Sequence, residues 1–194
     1  MAQRRSVQRQ GLWRILFAAL AAVCAVAFGM TASASASGGG TPYADQAARA
    51  GLTAAQTKSL QKQVDGYLAK TGGRQSAANE ITLPSGGTLT VALPGERKAR
   101  SLASAGAAFV DCPYYYFCAY QYENYGGTQI REDSCGTHTS IPWAGYGSYI
   151  NNQTSGTQAR LENSSKQVLY YSRGAYAAVP TGVYWTPVYY FNPC

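Results

Sequence analysis

The sequence predicts an α+β chain whose second half is all-β. Three observations carry this. Fourteen of the 16 tyrosines fall between Tyr114 and Tyr190, interleaved with glycine and few acids, a composition suited to pleated strands. The stretch Cys118-Ala-Tyr-Gln-Tyr-Glu-Asn-Tyr-Gly-Gly127 reads as strand, tight corner, strand: Tyr120 and Tyr122 share a face by the period of two, and the glycines free the backbone at the corner. The only strong helical pattern lies well before this region.

Residues 1–36 read as a secretory signal peptide. Arg4, Arg5, Arg9 and Arg14 precede a short alanine-rich apolar run, and Ala32-Ser-Ala34 and Ala34-Ser-Ala36 offer small-x-small cleavage sites. The expected mature protein is secreted and extracellular, with no membrane attachment after cleavage. Residues 37–100 form a helical and hairpin region, which either packs on the C-terminal domain or serves as a pro-region. It opens flexibly, and a first helix is expected from Thr41-Pro42 to Gly51. A second comes next: Thr53 and Gln56 make a capping box, Leu60, Val64, Tyr67 and Leu68 share one face, and Gly72-Gly73 stop it. Ile81 and Leu83, then Leu89, Val91 and Leu93, alternate around Pro84-Ser-Gly-Gly87 as a hairpin. Arg97-Lys98-Ala-Arg100 reads as an exposed basic linker.

The domain at 111–194 has predicted strands at 116–122, 128–132, 158–161, 167–172 and 184–191. Tyr171 and Tyr176 repeat the spacing of Tyr120 and Tyr125 at an offset of 51 residues, with Ala178 in place of the glycine, which suggests a duplicated unit.

The formal charge of +7 misleads about partners. Past residue 40 the balance is 12 basic against 9 acidic, and from Cys112 onward it is 4 against 4. A nucleic-acid partner would leave a basic stripe, and the C-terminal half has none.

Export places Cys112, Cys118, Cys135 and Cys194 in an oxidising compartment, where an even number reads as a disulfide framework. Of three pairings, Cys112–Cys118 closes locally around Pro-Tyr-Tyr-Tyr-Phe and leaves Cys135–Cys194 to tie the chain end back. The cysteines lack the close pairs of a zinc ribbon.

An enzyme is not expected. The single histidine, His138, allows no two-histidine metal site, and neither a nucleophile elbow nor a phosphate loop occurs. Cys135-Gly-Thr-His138 is a nominal thiol–imidazole pair, but a disulfide sulfur is no nucleophile. Glu123, Glu132, Asp133 and Glu162 are the carboxylates from which glycoside chemistry would have to draw. Asn151-Asn152-Gln-Thr-Ser155 gathers amide and hydroxyl oxygens, and reads either as a weak calcium loop or as an Asx-rich turn with no ion. No other cofactor is expected.

Tyr120, Tyr125 and Gly127, with Tyr171 and Tyr176, resemble the paired Greek-key motifs of βγ-crystallin domains. Asn151, Asn152 and Ser155 resemble that fold's calcium stretch, with Gly156 where its last serine would stand. The opening Cys112-Pro-Tyr-Tyr-Tyr-Phe-Cys118 is similar to that of the secreted actinomycete metalloproteinase-inhibitor family, which shares the crystallin-like fold. The resemblance covers 111–194 and implies a Greek-key sandwich. It also implies a peptidase inhibitor that inserts a rigid loop into an extracellular protease, with Tyr114, Tyr115 and Tyr116 as contacts. The second short cysteine loop expected of that family is missing here, because Cys135 and Cys194 lie far apart. The alternatives are a calcium-binding or structural crystallin-like module, or a small secreted antimicrobial or toxin-like protein.

Overall fold

The structure, a computed structural model, describes residues 43–103 and 111–194. The expected signal peptide, residues 1–36, lies outside the described residues.

Helix α1 (Ala44–Arg49) is short, and α2 (Ala54–Thr71) is the one substantial helix among the described residues. The capping box forms in full: Thr53 accepts from the Gln56 amide at 3.2 Å, and the Gln56 side chain accepts from the Thr53 amide at 2.9 Å. Gly72 takes a positive φ and ends the helix. Leu60 and Val64 are buried, each such side chain contributing about 2 kcal/mol.

The strands are β1 (Arg74–Ala77), β2 (Glu80–Thr82), β3 (Thr88–Thr90), β4 (Tyr116–Tyr122), β5 (Gly126–Glu132), β6 (Thr139–Ser140), β7 (Tyr146–Asn152), β8 (Arg160–Glu162), β9 (Val168–Tyr171), β10 (Ala177–Tyr184) and β11 (Tyr190–Asn192). They form two antiparallel sheets with Greek-key-like connectivity. The larger has the order β1-β2-β3-β5-β4-β7-β10, and the smaller β6-β11-β8-β9. The strands from β4 onward fall into two sets of four. The third strand of each set, β6 or β10, is given to the sheet of the other: β10 pairs with β7, and β6 with β11.

One core joins the helices to both sheets, running from Leu60 and Val64 through Ile81, Leu89 and Ile130 to Phe117, Trp185 and Phe191. The hairpin β2–β3 extends the larger sheet, with Thr90 opposite Gln129 and Leu89 opposite Ile130.

Three expectations are corrected. The stretch at 97–100 exposes Arg97 and Lys98 as expected but is held in place rather than loose: Gly127 donates to the Arg97 carbonyl at 2.7 Å, and Arg100 is bound by Glu96 at 2.7 Å. Fully buried Asn79 fixes residues 100–102, donating to the Arg100 carbonyl at 2.7 Å and accepting from the Leu102 amide at 3.1 Å. The strand expected over 184–191 is two strands, because Val188 donates back to the Trp185 carbonyl and turns the chain between them. Central strand β7 is absent from the expected set, since its Tyr-Gly-Ser-Tyr-Ile-Asn-Asn sequence is poor in β-branched residues and gains its strand geometry from neighbours on both sides.

Candidate functional site

The disulfide Cys112–Cys118 closes the tyrosine loop onto the start of β4, with a Cα separation of 5.8 Å. The loop is stitched to the end of β7. The Tyr115 amide donates to the Asn152 carbonyl at 2.8 Å, and the Asn152 side chain donates to the Cys112 carbonyl at 3.0 Å. Tyr114 and Tyr115 point outward, 54% and 59% exposed, with ring centroids 4.2 Å apart. Tyr116 is half-buried, and desolvation, then the Asp133 charge, pushes its phenol pKa up. The three expected contacts thus divide into two free rings and one packed against the body. Cys135–Cys194 forms as the second disulfide and anchors the chain end.

The stretch from Asn151 to Ser155 is mostly spent on internal hydrogen bonds. The buried Asn151 amide donates to the carbonyls of Thr157 and Arg173 at 2.8 and 2.9 Å. Its oxygen accepts from the Gln153 side chain at 3.0 Å, and Gln153 also reaches the Pro193 carbonyl at 2.7 Å. A cation seeking the Asn151 oxygen would have to displace Gln153. Ser155 lies on the exposed side of the turn. Among the described residues no group of three or more His, Cys, Asp or Glu is placed to hold a metal.

At the corner after β4, the Tyr120 and Tyr125 rings meet edge to face at 5.4 Å. Asn124, Tyr125 and Gly127 take positive φ. At Gly127 a Cβ would stand 2.6 Å from the Tyr122 ring, so the glycine is required for space as well as for conformation. Burial drives the Tyr120 phenol far above its ordinary pKa.

Tyr171 and Tyr176 do not repeat this arrangement. Tyr120 lies on the first strand of its set, with Tyr125 in the loop after it. Tyr171 ends the second strand of its set, and Tyr176 lies in the next loop. Both are exposed, at 59% and 67%. The loop that stands where the first corner does is 163–167, in which Lys166 takes a positive φ. The topology has two similar four-strand sets, but the tyrosine spacing does not mark them.

Cys135 is tied to Cys194, and His138 Nδ1 lies 2.6 Å from buried Glu162, so the nominal thiol–imidazole pair is not assembled. Glu132 is wholly buried and accepts from the Gly87, Asp133 and Ser134 amides and the Thr139 hydroxyl at 3.0–3.2 Å. It ties the β2–β3 turn to the loop leading into β6.

An outward aromatic surface is not among the expected sites. All four residues of β9, Val168 to Tyr171, are exposed. Tyr146 and Tyr184 stack at 5.0 Å, and the Tyr170 hydroxyl donates to the Tyr184 carbonyl at 3.3 Å. Strict alternation would have buried half of β9. In β9, an edge strand of the smaller sheet, neither face is covered.

No protein-family model matches the chain, and neither a curated protein nor a solved structure shows significant similarity to it. Among the described residues no helix is long and apolar enough to cross a membrane.

Proposed function

We propose that the chain is a secreted, non-catalytic structural and binding module of βγ-crystallin-like design, held by its two cystines and independent of calcium. The exchange of third strands between two four-strand sets carries this reading, since paired Greek keys are what the resemblance to that family implies. The calcium-like stretch supports the ion-free form: its amides already brace β7 against the Thr157 and Arg173 carbonyls. A non-catalytic role fits the commitment of Cys135 to a disulfide and of His138 to Glu162.

The test is thermal melting with chelator and with calcium on the order of 1 mM, the range in which extracellular modules bind it. An unchanged melting temperature is expected. A rise with calcium that Ser155→Ala diminishes would transfer the reading to a calcium-binding module.

One observation favours a second reading, inhibition of an extracellular protease: Tyr114 and Tyr115 stand free on a loop closed by a disulfide and pinned to β7. Preorganisation of this kind lowers the entropy cost of binding. A panel of thermolysin-type and serine proteases decides it. Loss of activity at near-stoichiometric amounts, relieved by Tyr114→Ala or Tyr115→Ala, would put inhibition in first place.

A further inference from the structure

The outer face of the larger sheet carries a cavity of about 340 Å³ beside the tyrosine corner. Its floor is Tyr120 and Gln129 on β4 and β5, with Ile150 on β7, and its rim is Tyr125, Lys98 and Asp111. The size falls within the range of small-molecule sites, which combine apolar walls with a few placed polar groups.

Gln129 is 1% exposed, and its amide donates to the Tyr120 hydroxyl at 3.0 Å. Its carbonyl oxygen accepts nothing among the described residues. A buried acceptor left unpaired is destabilising, and a bound hydroxyl would relieve it. The Tyr120 oxygen is used as an acceptor by Gln129, so its own O–H remains to donate. On the rim, Lys98 brings donors and Asp111 brings acceptors, and their charges cancel. Both donors and acceptors therefore line the cavity, beside the Tyr125 ring and Ile150. A neutral ring of vicinal hydroxyls, each able to donate and accept, with an apolar C–H face, satisfies every one of these groups. The opposed charges of Lys98 and Asp111 give no net preference for an anion or a cation, and a hydrocarbon would leave Gln129 unpaired.

We propose that this cavity is a saccharide-binding site that takes one pyranose ring, either a free sugar or a unit of a glycan. The site would serve whether or not the chain is a structural module.

The test is amide chemical-shift mapping on the protein expressed from its full chain and collected from the medium. The probes are the methyl glycosides of glucose, galactose, mannose and N-acetylglucosamine, with their di- and trisaccharides, to about 50 mM, which captures even millimolar affinity. At least one probe is expected to give saturable shifts at Lys98, Asp111, Tyr125 and Gln129. Lys98→Ala and Asp111→Ala, both at exposed side chains, should each weaken it about fivefold or more with no change in melting temperature. Equal affinity along a saccharide series indicates a free sugar, and a gain with length indicates a glycan; both sustain the site. The proposal is overturned if no probe saturates, if both variants bind as tightly as the parent, or if the shifts gather at Tyr146, Tyr170 and Tyr184 instead.

Discussion

The Trp185 indole donates to the Tyr120 carbonyl at 2.9 Å, and it reaches that oxygen only because residue 147 has no side chain. A Cβ on Gly147 would lie 2.2 Å from the indole nitrogen and 2.5 Å from the same carbonyl. Trp185 is fully buried just past the end of β10, so this bond joins the far end of the chain to the first strand of the first set, across β7.

Gly147→Ala should therefore destabilise by about 3 kcal/mol, the upper end for overpacking, because both neighbours it meets are fixed. Trp185→Phe, which keeps a ring but strands the Tyr120 carbonyl, should cost about 2 kcal/mol. Urea unfolding followed by circular dichroism measures both. If Gly147→Ala unfolds at the parental midpoint, the close approach does not exist in solution.

The two disulfides should differ in worth because they close loops of different length, with sequence separations of 6 and 59. On the chain-entropy account, Cys112→Ser with Cys118→Ser should cost about 2 kcal/mol, and Cys135→Ser with Cys194→Ser about 4 kcal/mol. Denaturation of the two double variants under identical conditions gives the ranking, and the reverse order would contradict it.

Asn151→Asp separates the structural role of this side chain from a calcium role. A carboxylate cannot donate, so it would face the Thr157 and Arg173 carbonyls with like polarity, at a cost of about 3 kcal/mol or more. The melting temperature should drop, and calcium should not restore it. Restoration by calcium would show that the position is built for a cation.

Alkaline pH should destabilise the fold. Burial raises the phenol pKa of Tyr120 most, and desolvation also raises those of Tyr67, Tyr116, Tyr125 and Tyr170 above the ordinary value of 10.0. The unfolded chain therefore releases these protons first. The stabilisation is full below pH 10.0 and is lost as pH climbs from there through the folded-state values. Melting temperature measured across this range should fall, and Tyr120→Phe should flatten part of the fall. Phenolate absorbance that develops fully near the ordinary value while the protein remains folded would exclude the effect.

What the sequence made legible was local. The capping box at Thr53 and Gln56 and the buried face of Leu60 and Val64 depend on residues three or four apart, and the structure forms both. The corner at Tyr120, Tyr125 and Gly127 was legible for the same reason, because its rings and its positive φ lie within one hairpin. The short cystine was evident from the closeness of Cys112 and Cys118. The features that were not legible depend on distant partners. Strand β7 is a strand because β4 and β10 flank it, and Gly147 is required by an indole 38 positions later. The second tyrosine pair misled because spacing alone does not say which strand of a set a residue occupies. Nothing local in Arg97-Lys98-Ala-Arg100 announces that buried Asn79 holds the chain just beyond it. At the cavity, Gln129 gave no signal, since its meaning lies in a hydrogen bond it does not make.

The trading of β6 and β10 between the sheets has a consequence for how the molecule is made. The edge of β7 that receives β10 from its own chain has no means of telling that strand from the same strand of a neighbour. At high concentration, or when the segment between β7 and β10 is altered, two molecules can close each other's sheets and emerge as an intertwined pair that keeps the β7–β10 pairing while its connecting segments open.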